Sequence, residues 1–121
     1  MKYQEIITEI DKKNLHPIYF LTGEENYYID KVTENISKNI LTAEEKEFNQ
    51  SILYGKETDV ATIISEAKQF PFGSNHRVVI VKEAQQIRSI DKLETYVKNP
   101  LKSTILVISV SYTHLTLPTK A

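Results

Sequence analysis

The stretch that decides the fold lies at residues 78–81, where the sequence is VVIV. All four residues are β-branched, and an apolar run of this kind is typical of a strand covered on both faces. A similar run, TILVI, occupies residues 104–108, and a shorter one, IYFL, occupies residues 18–21. These three runs predict buried strands.

Helical patterns lie between and before these runs. Apolar residues at Tyr3, Ile6, Ile7 and Ile10 share one face of a predicted opening helix that ends near Asn14. Residues 26–40 carry the same spacing, and Asn26 is a candidate cap for that helix. A third helix is predicted to begin at a cap formed by Thr58 or Asp59 and to close at Pro71 and Gly73, and a short one is predicted around residues 90–97.

A fourth, less buried strand is predicted over residues 48–54, which alternate loosely and stop at Gly55. The charged residues 44–47 before it are interpreted as a link. Strand and helix then alternate along the chain, which predicts an α/β fold: a parallel sheet with helices on both faces, joined by right-handed crossovers. Residues 1–109 form the predicted domain.

Composition limits the possible functions. The 121 residues include 15 basic and 16 acidic side chains, so the basic excess typical of nucleic-acid binding is missing. The sequence contains no cysteine, which excludes disulfides and thiolate metal sites. It also has neither an apolar run of about 20 residues nor the apolar core of a signal peptide. A cytoplasmic protein is expected.

The turn after the first strand stands where P-loop proteins bind phosphate. A Walker A loop needs a glycine, four residues and then Gly-Lys-Ser/Thr, so that backbone amides and the lysine hold the phosphates. Counting from Gly23, those last three positions hold Tyr28, Ile29 and Asp30. The sequence therefore predicts a degenerate nucleotide site without the cation or the hydroxyl.

The second half of such a site is also altered. In P-loop enzymes a carboxylate at the end of a buried strand orients magnesium. Here the strand at residues 78–81 is followed by Lys82, and Glu83 comes one position later. The three histidines are scattered, and no Ser/His/Asp or HExxH pattern occurs. No catalytic residue, metal or cofactor is expected.

Four segments in order resemble the delta subunit of bacterial DNA polymerase III: IYFLTGEENYYIDKV, FNQSILYG, AKQFPFGSNHRVVIVKEAQQI and TILVIS. The resemblance covers about residues 1–109. It implies a truncated, degenerate AAA+-type (P-loop-like) N-terminal domain of a clamp loader, a non-catalytic subunit of a DNA-directed DNA polymerase (nucleotidyltransferase) holoenzyme.

The resemblance also implies partners. A delta subunit binds the ring-shaped sliding clamp (beta subunit) and opens it without hydrolysing ATP. It joins the gamma/tau and delta prime subunits through domains that this chain lacks, and it meets primed DNA only within that complex.

The resemblance places the clamp-binding residues in the loop before the third buried strand. The apolar pair there is Pro71-Phe72, with Phe70 as a neighbour. Phe72, between Pro71 and Gly73, is expected to be exposed. An alternative is that Phe70 fills the core and Pro71 only ends the helix. Two other functions remain open: a P-loop enzyme with an atypical phosphate site, and a scaffold domain without clamp affinity.

The last residues differ in character from the rest. Residues 110–119, VSYTHLTLPT, carry no acidic residue and no helical or strand period. They resemble an in-frame translation of a transposon-end adaptor used in sequencing libraries. Residues 110–121 are therefore expected to be a non-native tail, with Val110 assignable to either side of the boundary.

Overall fold

The computed structural model describes residue 8, residues 15–23 and residues 26–111. The predicted opening helix lies outside these residues except for Thr8, which is helical. Residues 112–121 of the predicted tail also lie outside them. Within the described residues, none of the helices is long and apolar enough to cross a membrane.

Four strands form one parallel sheet. They are β1 (Ile18–Gly23), β2 (Gln50–Tyr54), β3 (Arg77–Lys82) and β4 (Thr104–Ser111), in the order β1-β4-β3-β2. The three apolar runs at residues 18–21, 78–81 and 104–108 all lie in these strands, so the predicted strands and the parallel sheet are confirmed. Burial on both faces is confirmed for β3 and β4, but was wrong for β1: it is an edge strand, and Phe20 is 62% exposed.

The helices are α1 (Asn26–Ile40), α2 (Ala43–Asn49), α3 (Val60–Ala67) and α4 (Glu94–Lys98). Short 3-10 turns occupy residues 55–57, 84–86 and 90–93. Asp59 is the cap of α3, since its carboxylate accepts the backbone N–H of Thr62 at 2.8 Å. The helix ends at Ala67, before the predicted closing residues Pro71 and Gly73.

Helix α2 replaces the charged link predicted at residues 44–47, and that prediction was wrong. Thr42 and Glu45 form a capping box: the Thr42 hydroxyl accepts the Glu45 N–H, and the Glu45 carboxylate accepts the Thr42 N–H. The pair satisfies two N–H groups that a helix start leaves without partners. Phe48 and Asn49 consequently close this helix, and β2 begins at Gln50 rather than at Phe48.

Both faces of the sheet are covered, as predicted. Because side chains alternate along a strand, Val78 and Ile80 of β3 pack with α1, whereas Val79 and Val81 pack with α3 and α4. The first core contains Tyr19, Leu21, Ile29, Val32, Ile36 and Leu41 besides residues of β3 and β4. The second contains Val60, Ile63, Ala67, Leu93 and Tyr96.

Strand β4 continues past the predicted domain boundary at residue 109. Val110 is 8% exposed and belongs to the second core, and Ser111 pairs with Gly23 of β1. Val110 is therefore an integral part of the folded sheet, whatever its origin.

Candidate functional site

The loop of residues 68–76 joins α3 to β3 and presents two phenylalanines to solvent. Phe70 is 76% exposed and Phe72 is 70% exposed, while Pro71 between them is half-buried. Phe72 is exposed as the sequence predicted. The alternative that Phe70 fills the core is wrong, because the second core is closed by the smaller Ala67 at the end of α3.

The backbone of this exposed loop is held from inside by Asn49. This side chain is fully buried at the end of α2. Its Oδ1 accepts the Phe72 N–H at 2.6 Å, and its Nδ2 donates to the Phe72 carbonyl at 2.8 Å and to the Glu45 carbonyl at 3.0 Å. The peptide of Phe72 is thus fixed while its ring points outward.

Phe48 extends the apolar surface of the loop. It is 63% exposed, and its ring centroid lies 5.7 Å from that of Phe72 with the planes tilted by 60°. Phe48, Phe70 and Phe72 are called the phenylalanine surface below. Sequence reasoning missed Phe48 because it assigned residues 48–54 to a strand; the Thr42-x-x-Glu45 pattern was the signal for a helix.

Arg77, at the start of β3, ties the base of the loop to its neighbours. The side chain is almost fully buried, and its guanidinium donates to the carbonyl of Glu66 at 2.9 Å and to that of Phe48 at 3.3 Å. These carbonyls lie in the last turns of α3 and α2, where a cation also meets the negative end of the helix dipole. Arg77 therefore joins both helix ends that flank the phenylalanine surface.

The charge of Arg77 is balanced by Glu66. The two side chains form an ion pair, and the Ser51 hydroxyl links them by accepting from Arg77 at 2.9 Å and donating to Glu66 at 2.8 Å. The Arg77 side chain is 6% exposed and that of Glu66 is 28% exposed, so removing Glu66 would leave a buried cation without its counter-charge, which is destabilising. The network thus makes the underside of the loop rigid.

The residues predicted to form a degenerate nucleotide site lie at the other edge of the sheet. Gly23 ends β1, and Glu24 and Glu25 after it lie outside the described residues. In α1, Tyr28 is 43% exposed and Asp30 is exposed, but Ile29 is 8% exposed and belongs to the first core. The position that carries the Walker lysine in an active loop is thus a core position here.

Lys82 ends β3 at this same carboxyl edge and Glu83 follows it, and β4 lies between β3 and β1. Glu83 has a left-handed backbone with φ 55°, and its carboxylate accepts from the Gln85 amide at 2.6 Å. Its carbonyl approaches Gly55 so closely that a Cβ there would lie 2.0 Å away. This packing requires a glycine at position 55.

A shallow cavity of about 310 Å³ opens beside Glu83, lined by Tyr54, Lys56, Glu57, Glu83 and Gln86. Among the described residues no group of three or more histidine, aspartate or glutamate side chains could hold a metal ion. The structure therefore separates two candidate regions: the altered phosphate site at the carboxyl edge, and the phenylalanine surface at the amino edge, where β2 and β3 begin.

Comparisons with known proteins agree with this architecture. The family model for the DNA polymerase III delta subunit matches residues 19–120. DNA polymerase III subunit delta of Bacillus subtilis is 27% identical, over 92% of this chain and 35% of that protein. The solved structure of the Bacillus subtilis DNA clamp loader delta protein (YqeN) superimposes with a TM-score of 0.85 at 26% identity, covering 93% of this chain and 36% of that one.

A gamma subunit-related DNA polymerase III protein from Thermotoga maritima has a similar fold, with a TM-score of 0.60 at 17% identity over 98% of this chain and 42% of that one. The chain spans about a third of the length of the two Bacillus subtilis proteins, by the 35% and 36% that the matches cover. The resemblance inferred from the sequence is confirmed: the chain belongs to the DNA polymerase III delta subunit family of clamp-loader proteins.

Proposed function

We propose that this chain is the clamp-contacting part of a clamp-loader delta subunit. In this proposal Phe70, Pro71 and Phe72 enter an apolar pocket on the sliding clamp and help to open the ring. The observation that carries the proposal is the phenylalanine surface itself, with Phe70 and Phe72 at 76% and 70% exposure on an anchored loop.

The cost of exposing these rings supports a binding role. Leaving a phenylalanine in water forgoes about 1.5 to 3 kcal/mol of burial free energy, and clustered exposed apolar side chains often mark protein interaction sites. A fold that bonds the Phe72 backbone internally and still exposes its ring is suited to docking against a partner. Aromatic anchors of this kind commonly dominate the energy of an interface.

Clamp opening adds a thermodynamic requirement. A ligand shifts an equilibrium only by its differential affinity for the two states. The phenylalanine surface must therefore bind the distorted clamp more tightly than the closed one. A variant with a weakened surface should lose both binding and ring opening.

We further propose that the chain works without hydrolysing ATP and acts in the cytoplasm. Ile29, which packs in the first core, replaces the lysine that would neutralise the phosphates. Lys82, at the end of β3, replaces the carboxylate that would orient magnesium. The gamma/tau and delta prime subunits, and primed DNA, would be met through parts of the subunit outside this chain.

The main test measures the affinity of the Phe72→Ala chain for the sliding clamp by surface plasmon resonance, beside a melting curve. We expect affinity to fall about tenfold or more, as for loss of an aromatic anchor. Phe20→Ala is the matched control, because Phe20 on β1 is 62% exposed but lies on another part of the molecule. Clamp affinity equal in Phe72→Ala and in the unsubstituted chain contradicts the proposal.

Val79→Ala supplies the contrast in stability. Val79 is a residue of β3 that is fully buried in the second core, so its truncation should lower the free energy of unfolding by about 2 kcal/mol or more. Phe72→Ala should melt close to the unsubstituted chain. If it melts as badly as Val79→Ala, Phe72 is a core residue and the docking assignment is wrong.

The alternative function is a P-loop enzyme with an atypical phosphate site. Calorimetric titration of the chain with ATP and magnesium distinguishes it from the proposed function. The proposed function expects no saturable binding at micromolar ATP. Saturable, magnesium-dependent binding would favour the enzyme instead.

A further inference from the structure

Asn49 is a fully buried polar residue whose carboxamide forms hydrogen bonds with a loop residue 23 positions later in the chain. Its oxygen accepts the Phe72 N–H at 2.6 Å, and its nitrogen donates to the Phe72 carbonyl at 2.8 Å. The carboxamide thereby pairs with both backbone groups of one loop residue, as a neighbouring strand would. An asparagine at a helix end could find hydrogen-bond partners for its side chain in water or in its own helix, as Nδ2 does with the Glu45 carbonyl.

The two bonds restrict Phe72 on both sides of its Cα. The N–H lies in the peptide before Cα and the carbonyl in the peptide after it, so fixing both limits φ and ψ together. The direction in which the Phe72 ring leaves the backbone is then defined before any partner arrives. Preorganisation of this kind raises affinity because less entropy is lost on docking.

The same helix end also supplies the ring beside Phe72. Phe48 precedes Asn49, its ring lies 5.7 Å from that of Phe72, and its carbonyl accepts from Arg77. The end of α2 and the loop are therefore coupled through bonds and ring contact. Asn49 is the member that acts directly on the Phe72 backbone.

We propose that Asn49 is a positioning residue that holds Phe72 in its docking direction. The proposal deepens the proposed clamp function and rests on it for the affinity measurements. The orientation of Phe72 can be measured without a clamp, so the two can fail separately.

The first test uses the absence of tryptophan from the sequence. In a Phe72→Trp chain the single indole reports the mobility of position 72 by time-resolved fluorescence anisotropy. We expect a small fast component in Phe72→Trp and at least a twofold larger amplitude when Asn49→Ala is added. Thr33→Ala is the matched control, since Thr33 is buried and donates to the Ile29 carbonyl in α1; it should leave the anisotropy unchanged.

A second measurement needs no substitution and guards against misfolding of Asn49→Ala. The Phe72 amide, bonded to Asn49, should exchange its hydrogen at least tenfold more slowly than the Gly73 amide, for which the described residues provide no backbone acceptor. Asn49→Asp keeps the accepting oxygen but lacks the donor toward the Phe72 carbonyl, so its anisotropy should be intermediate. Equal exchange at Phe72 and Gly73, or equal mobility in Asn49→Ala and its parent, overturns the proposal.

The affinity measurement separates the two proposals. Asn49→Ala should weaken clamp binding about fivefold or more while Phe72 is present, and should have no further effect in a Phe72→Ala background. Unchanged affinity in Asn49→Ala, beside a weakened Phe72→Ala, overturns the positioning role. If Phe72→Ala itself binds normally, the clamp function fails, whereas the mobility and exchange results still decide whether Asn49 orients residue 72.

Discussion

Single side chains explain both regions of this domain. At the carboxyl edge, Ile29, at the position where a Walker A motif counted from Gly23 would carry the phosphate-binding lysine, is a contact of the first core. At the amino edge, Asn49 and Arg77 use buried polar groups to hold the backbone beneath exposed rings. The candidate residue at the carboxyl edge is thus buried in the core, whereas the phenylalanine surface at the amino edge is exposed.

Restoring the missing cation should therefore damage the fold without creating a nucleotide site. Ile29→Lys places an unpaired charge among apolar side chains, which should lower the free energy of unfolding by about 2 kcal/mol or more. Tyr28→Lys, one residue away at a 43% exposed position, is the control and should melt nearly normally. Neither variant should bind ATP in calorimetry; ATP binding restored by Ile29→Lys would show that the site is still preformed.

Phe48 should contribute to clamp binding in partnership with Phe72. Phe48→Ala removes one of two adjacent rings, so we expect affinity to fall severalfold with little change in melting temperature. A double-mutant cycle with Phe72→Ala should give a coupling of about 0.5 to 1.5 kcal/mol, as for other aromatic pairs. Strictly additive effects would mean that the two rings dock independently or that Phe48 stays outside the interface.

At the scale of elements, the two helices that flank the loop, α2 and α3, each begin at a side-chain cap. Thr42 and Glu45 start α2, which delivers Phe48 and Asn49 to the amino edge. Asp59 starts α3, whose last turn accepts the Arg77 guanidinium. The two caps therefore fix the starting residues of the helices whose last turns lie beside the loop.

The contribution of Asp59 should depend on pH. Bonds from the Thr62 backbone and side chain hold the pKa of the Asp59 carboxyl below its usual value. A lowered folded pKa stabilises the fold above the unfolded pKa of about 3.9, and this stability is lost as pH falls through the folded pKa. Asp59→Ala should thus melt lower than the unsubstituted chain at neutral pH, and the gap should narrow toward pH 3.

Asp59→Asn is the control, because asparagine also caps helices but carries no charge. The Asp59→Asn chain should melt close to the unsubstituted chain at pH 7. Its melting temperature should lack the part of the pH dependence that the Asp59 carboxylate contributes. A difference between Asp59→Ala and the unsubstituted chain that is constant from pH 7 to pH 3 would exclude the carboxylate as its cause.

At the scale of the whole molecule, the sheet extends to the end of β4. Val110 pairs with Thr22 and is buried in the second core, while residues 112–121 carry no period that would bury a face. We propose that the domain ends at Ser111 and that the residues after it are a non-native tail.

Two truncated chains test this boundary by thermal melting. A chain of residues 1–111 should melt within about 2 °C of the full one. A chain of residues 1–109 loses the burial of Val110, about 1.5 to 2 kcal/mol, and should melt about 7 °C lower. A large loss already in the 1–111 chain would mean that the later residues belong to the domain, in line with the family match to residue 120.

The sequence by itself determined the features that depend on neighbours along the chain. The run VVIV at residues 78–81 is apolar and β-branched at every position, so it predicted a strand with two covered faces. Phe72 stands between Pro71 and Gly73, and that local setting was enough to predict its exposure. The Thr42-x-x-Glu45 cap was equally local, and the error at residues 44–47 came from interpreting charge as a link.

Tertiary structure decided what depends on residues far apart. Asn49 bonds a peptide 23 residues later, and Arg77 reaches back 29 residues to Phe48, only because β2 and β3 lie side by side. Val110 is a core residue because β4 is flanked by β1 and β3 and covered on the face of the second core. Hydrogen bonds and burial of this kind are set by which strands are neighbours, and no local pattern in the chain encodes that order.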